Sequence, residues 1–169
     1  MTLIQSIGIG AAALIAITAS IYLTPRHVTV ERKAEIETAY GDIIARAGST
    51  SGFTSFNPYR TADPDLKIEP FGPDRGIGSG FRFDGKDGKG TQTVTEISDT
   101  SVTYEIDLGP MGQPKQVLTA VPHEDKTLVT WRVEADMGLN PVARVFGLFM
   151  DRMMGKTLEQ GLANLKTTS

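Results

Sequence analysis

Apolar and polar positions divide the chain in two. Met1 to Thr24 contains no Asp, Glu, Lys or Arg, and Leu3 to Leu23 is apolar apart from Gln5, Ser6, Thr18 and Ser20. At about 1.5 Å of rise per residue, such a run just crosses a hydrocarbon core about 30 Å thick. Residues 1–24 are therefore expected to form one transmembrane anchor, with one domain following over residues 25–169. No Lys or Arg precedes the run and Ala19-Ser20-Ile21 is a poor cleavage site, which favours a retained anchor over a cleaved signal. Arg26, Arg32 and Lys33 follow the run directly, a bias that places the domain on the cytoplasmic side of a single-pass protein.

Downstream, His27 to Arg32 alternates like a strand, and Ala34 to Ala47 carries Ile36, Tyr40, Ile43 and Ile44 at helical spacing. Gly48 to Tyr59 is rich in Gly, Ser and Thr and closes on Phe56-Asn57-Pro58-Tyr59, where proline ends any helix. A meander follows, with strands expected over Leu66–Phe71, Ile77–Phe83, Thr91–Ile97, Val102–Leu108, Gln116–Val121 and Leu128–Met137. The turn clusters between them are short, which implies antiparallel neighbours. Asn140 and Pro141 open a long helix in which Val142, Phe146, Phe149, Met153 and Leu158 recur with Leu162 and Leu165. Gly155 interrupts that helix and marks a close approach to the sheet or a bend.

Alternation sorts the two clearest strands by face. Val102, Tyr104, Ile106 and Leu108 share one side, as do Val129, Trp131, Val133, Ala135 and Met137. Thr130, Arg132, Glu134 and Asp136 point the other way. A sheet that is polar on one side must cover its apolar side, and the C-terminal helix offers the large apolar face for that role. The expected class is α+β.

Composition narrows the function. A net charge of -3 leaves no basic footprint for nucleic acid. The 18 Gly and 9 Pro fit many turns between short strands. With no Cys and with His27 and His123 as the sole histidines, no zinc or thiol chemistry is expected. Gly76-Ile-Gly-Ser-Gly80 leads into a strand rather than a helix, so it is no dinucleotide fingerprint. Gly85 to Thr91 lacks the order of a phosphate loop, and Asp84 with Asp87 falls short of an EF-hand. No cofactor or metal is expected.

The order strand, helical segment, antiparallel meander and long C-terminal helix carries specific residues with it. They are Val28-Thr-Val-Glu-Arg32, Phe56-Asn-Pro-Tyr59, Gly76-Ile-Gly-Ser-Gly80, Thr127-Leu-Val-Thr-Trp131, Phe149-Met-Asp-Arg-Met153 and Gly161-Leu-Ala-Asn-Leu-Lys166. Over roughly residues 25 to 166 the chain resembles the START-like (SRPBCC) superfamily, in its polyketide cyclase/dehydrase and lipid-transport branch. Phe56 stands where many relatives carry Trp. The resemblance implies a helix-grip fold, START/Bet v 1-like, in which a curved antiparallel sheet wraps the C-terminal helix around an apolar cavity.

The cavity wall is then expected from Phe81, Phe83, Tyr104, Ile106, Trp131 and Val133 on the sheet, with Phe146, Phe149, Met150 and Met153 on the helix. The other reading is that these residues fill a core. Tyr104 and Trp131 each bring one hydrogen-bonding atom that wants a partner when buried, either a ligand head group or a neighbouring carbonyl. No catalytic residue is assigned. Arg132 and Glu134 fall on the wet face, and His123 with Glu124 and Asp125 sits in a polar turn. The leading expectation is membrane-anchored binding or transport of a hydrophobic small molecule or lipid. The alternatives are a cyclase/dehydrase-type enzyme and a filled-core module for an unknown protein partner.

Overall fold

The computed structural model describes Ser20 and residues 22–168. Seven strands run as β1 (His27–Ile36), β2 (Lys67–Phe71), β3 (Gly80–Gly85), β4 (Gly88–Ile97), β5 (Ser101–Asp107), β6 (Lys115–His123) and β7 (Lys126–Asp136). Three short helices, α1 (Tyr40–Ala47), α2 (Thr50–Phe56) and α3 (Pro58–Ala62), connect β1 to β2, and the long helix α4 (Pro141–Thr167) closes the chain. Antiparallel connections join β2 through β7 in one sheet of order β1-β7-β6-β5-β4-β3-β2, tight at β3–β4, β4–β5 and β6–β7 and longer at β2–β3 and β5–β6. The first strand thus lies beside the last, and α4 turns back to pack chiefly on β1. This is the helix-grip arrangement.

β1 is longer than its alternation suggests. Its ladder with β7 continues to Ile36 opposite Thr127, and Val30 and Ile36 are buried on the inner face, so helix begins only at Tyr40 rather than at Ala34. The Gly/Ser/Thr-rich stretch holds two helices, the second beginning at the very proline that ends the first. Ser49 Oγ accepts from the Gly52 amide at 3.1 Å and Asn57 Oδ1 from the Tyr59 amide at 3.0 Å, with Pro58 in the first turn of α3. Ser49 and Asn57 are thus caps, each satisfying an orphan amide at a helix start.

α4 begins as expected, with Asn140 Oδ1 accepting from the amides of Val142 and Ala143. Its glycines are close approaches to other elements. A Cβ on Gly155 would overlap the Arg32 guanidinium, and one on Gly161 would overlap the Trp131 ring. Arg32 crosses the helix at that notch to reach Asp151 at 2.9 Å and Glu159 at 2.7 Å.

Two apolar stripes, not one, run along α4. Leu158, Leu162 and Leu165 are buried, whereas Val142, Phe146, Phe149 and Met153 are exposed. At about 100° per residue, the five-residue step from Met153 to Leu158 turns the stripe by about 140°, so the two halves face opposite ways. Phe146, Phe149 and Met153 therefore do not face the sheet as expected of cavity-wall residues.

Among the described residues no helix is long and apolar enough to cross a membrane. The anchor expected over residues 1–24 lies outside the described residues except for Ser20 and residues 22–24.

Candidate functional site

The inner face of the sheet converges on Phe53, a residue of α2. Its ring centroid lies 5.2 Å from Tyr104, 5.8 Å from Phe81, 5.9 Å from Trp131 and 5.0 Å from Phe56. Tyr104 and Trp131 meet it edge-on, a geometry that sets the positive rim of one ring against the negative face of another. Phe56 in turn stands edge-on to Trp131 at 5.8 Å. A short helix capped by Ser49 thus pushes one phenylalanine into the grip.

The polar atoms of this cluster are satisfied by protein. Tyr104 donates from its hydroxyl to the Ala47 carbonyl at 2.8 Å, and Trp131 donates from Nε1 to Gln116 Oε1 at 3.1 Å. Burial pushes the Tyr104 hydroxyl far above its ordinary pKa. A phenol held neutral and already donating to a carbonyl is a poor proton acceptor, so Tyr104 does not serve as an internal base. Tyr59 is likewise pushed up, to about 12, first by burial and then by the charge of Asp87. Its hydroxyl points at Met154 Sδ, 3.4 Å away.

Of the residues expected to line a cavity, Phe81, Tyr104, Ile106, Trp131, Val133 and Met150 are buried, and Phe83 packs half-buried at the edge of the same core. Two of them, Phe81 and Tyr104, border a small void. This void of about 10 Å³, roughly one water, is bounded by Phe53, Phe81, Gln92, Val94, Tyr104 and the Ser49–Thr50 corner.

On the other side of that corner lies open space. A groove of about 750 Å³ runs between α2–α3 and the edge strand β2, lined by Thr50, Thr54, Arg60, Leu66, Ile68, Pro70 and Phe71, among others. Register explains its character. Ile68 pairs with Phe83 and Pro70 with Phe81, and cross-strand partners share a face, so both β2 residues point to the inner side of the sheet. The groove is the outer mouth of the grip, and Thr50 forms its back wall, held by Ser79 Oγ at 2.9 Å and the Gly80 carbonyl at 3.2 Å. Arg60 and Arg75 border it.

The groove and Phe53 escape a reading by alternation. Phe53 and Phe56, three residues apart, were the available signal, and Ile68 with Pro70 the other. Two ion pairs lie on other faces. Arg132 pairs with Glu31 at 2.7 Å across β1 and β7 on the outer face, and His123 approaches Glu35 at 3.2 Å on the surface.

No curated relative matches the chain. Solved structures do, at the level of fold. A truncated norcoclaurine synthase from Thalictrum flavum is 14% identical, with TM-score 0.63 over 84% of this chain and 92% of its own. A protein from Thermobifida fusca is 18% identical, with TM-score 0.62 over 82% of this chain and 90% of its own. The di-domain ARO/CYC protein of the steffimycin biosynthetic pathway is 12% identical, with TM-score 0.62 over 83% of this chain. The chain spans half the length of that di-domain protein. At the sequence level the profile described as polyketide cyclase / dehydrase and lipid transport matches residues 27–169. Strand order, the long gripping helix and that match agree: the chain belongs to the polyketide cyclase/dehydrase and lipid-transport family.

Proposed function

We propose that this chain binds an apolar small molecule or lipid chain in the groove between α2–α3 and β2, and that residues 1–24 hold the domain of residues 25–169 at a membrane surface. One observation carries the reading: the groove, at about 750 Å³, has ligand size and presents inner-face apolar residues, while the interior behind it is packed. The family's lipid-transport description supports it.

Burying a methylene is worth about 0.8 kcal/mol against water. A molecule taken from a bilayer is already out of water, so apolar contact alone makes the transfer nearly neutral. Selectivity then falls to the rim, where Arg60, Asp74 and Arg75 suit a polar or zwitterionic head group. Tyr104 is committed to Ala47 and lies outside the groove, so it offers a bound molecule no proton-transfer group. A second reading, a filled-core module for a protein partner, is favoured by the aromatic cluster around Phe53.

Trp131 is the single Trp, so energy transfer from it to an anthroyloxy fatty acid reports binding to the full-length chain in nanodiscs. Saturable transfer is expected, and Ile68→Glu should weaken it about tenfold or more, equivalent to about 1.4 kcal/mol. Transfer that does not saturate, or that ignores both Ile68→Glu and the groove-filling Thr54→Trp, overturns the reading and favours the filled-core module. Because Thr54→Trp adds a second donor, its transfer is scored by the midpoint of the titration and not its amplitude.

A further inference from the structure

The outward stripe on the first half of α4 is joined to the start of the described chain. Arg144, buried in the first turns of α4, donates from Nη1 to the carbonyls of Tyr22 at 3.1 Å and Thr24 at 3.0 Å, and its guanidinium lies over the Tyr22 ring at 5.5 Å. Residues 22–24, the described end of the apolar run, therefore lie beside the N-terminus of α4. There the helix turns Val142, Val145, Phe146, Phe149 and Met153 outward, with Leu139 just before it, all exposed. At about 100° per residue these five helical positions fall within about one third of the circumference. Arg152 and Lys156 follow on the same side, and among the described residues neither takes part in an ion pair. Beyond Lys156 the same side carries Gln160 and Ala163 and no large apolar residue.

We infer that this half of α4 lies on the lipid bilayer, with its apolar stripe sunk into the interface and Arg152 and Lys156 against anionic head groups. The inference rests on the anchoring part of the proposed function, since the run Leu3–Leu23 is what brings the stripe to a membrane. An interfacial helix of this kind buries its apolar face by about 5–10 Å and draws on basic flanks for anionic lipid. Tyr22 sits where an aromatic side chain prefers the head-group level. Docking would also fix the orientation of the domain at the surface.

The chain has no Cys, so Phe149→Cys takes a single NBD label, and Ala163→Cys, exposed on the far half of α4, serves as reference. Full-length chains are reconstituted in vesicles of phosphatidylcholine and phosphatidylglycerol that carry a shallow doxyl quencher on the lipid, and co-flotation is scored separately. Docking predicts that the label at 149 is blue-shifted and quenched several-fold more than the label at 163. Equal weak quenching at both positions in chains that float overturns docking and leaves the anchor standing. A blue shift at 149 without quenching also overturns it and identifies residues 3–19 as the cover. Chains that do not float overturn the anchor and docking together.

Discussion

Phe53 and Trp131 stand edge to face, ring centroids 5.9 Å apart and planes 80° from parallel, although one comes from a seven-residue helix and the other from the strand next to β1. That contact helps pack the centre of the grip. Truncating Phe53 to Ala should cost about 3–5 kcal/mol, the usual range for a buried phenylalanine that leaves a cavity. Chemical denaturation should show it as a lower midpoint at unchanged slope.

Gly161 and Gly155 make a paired test of the α4 notch. In a helix interior, alanine is ordinarily better than glycine by about 1 kcal/mol. At Gly161 the added methyl meets the Trp131 ring, which Gln116, Phe53 and Phe56 hold in place. Overpacking of about 1–3 kcal/mol should outweigh the helical gain there, making Gly161→Ala destabilising. At Gly155 the obstacle is the end of the flexible Arg32 side chain, so Gly155→Ala should change stability little while breaking the pairs to Asp151 and Glu159. Thermal melts of the two variants check the contrast.

Tyr104→Phe separates a structural from a chemical role. The variant loses the hydroxyl bond to Ala47, worth about 0.5–1.5 kcal/mol net. Groove binding should persist, because Tyr104 lies behind Thr50 and not in the groove wall. A variant of normal stability with abolished binding would instead give the hydroxyl to the ligand.

Acid should loosen the junction between β1 and β7. Asp136 accepts both Arg26 nitrogens, at 2.8 and 2.7 Å, and the Gly138 amide at 2.8 Å. The Arg26 hydrogen bonds first, and the Gly138 amide second, hold its carboxyl well below the ordinary aspartate range. A carboxylate depressed in the folded state stabilises above its unfolded pKa, near 4, and that contribution fades as pH falls below it. Asp136→Asn should therefore lower stability by a constant amount above about pH 4 and flatten the fall below it, as read by denaturation at stepped pH.

The parts legible in the sequence are those set by local periodicity. Alternation places Trp131, Tyr104 and Val133 inward and Arg132 outward, and Asn140-Pro141 marks the start of α4. Phe53 is hidden because α2 is built from Gly, Ser and Thr, poor helix formers whose helix depends on the Ser49 cap and on tertiary packing. Phe146, Phe149 and Met153 mislead because two stripes on opposite faces of one long helix read as a single stripe. The groove depends on how far β2 stands from α2–α3, a distance that no local pattern encodes.

Native mass spectrometry of the full-length chain, with extraction of whatever travels with it, tests the central claim most directly. The account predicts one apolar molecule per chain in the wild type and its loss in Ile68→Glu, with the fold retained. A wild-type chain that carries nothing, or an Ile68→Glu chain that carries the same molecule in the same amount, would contradict it.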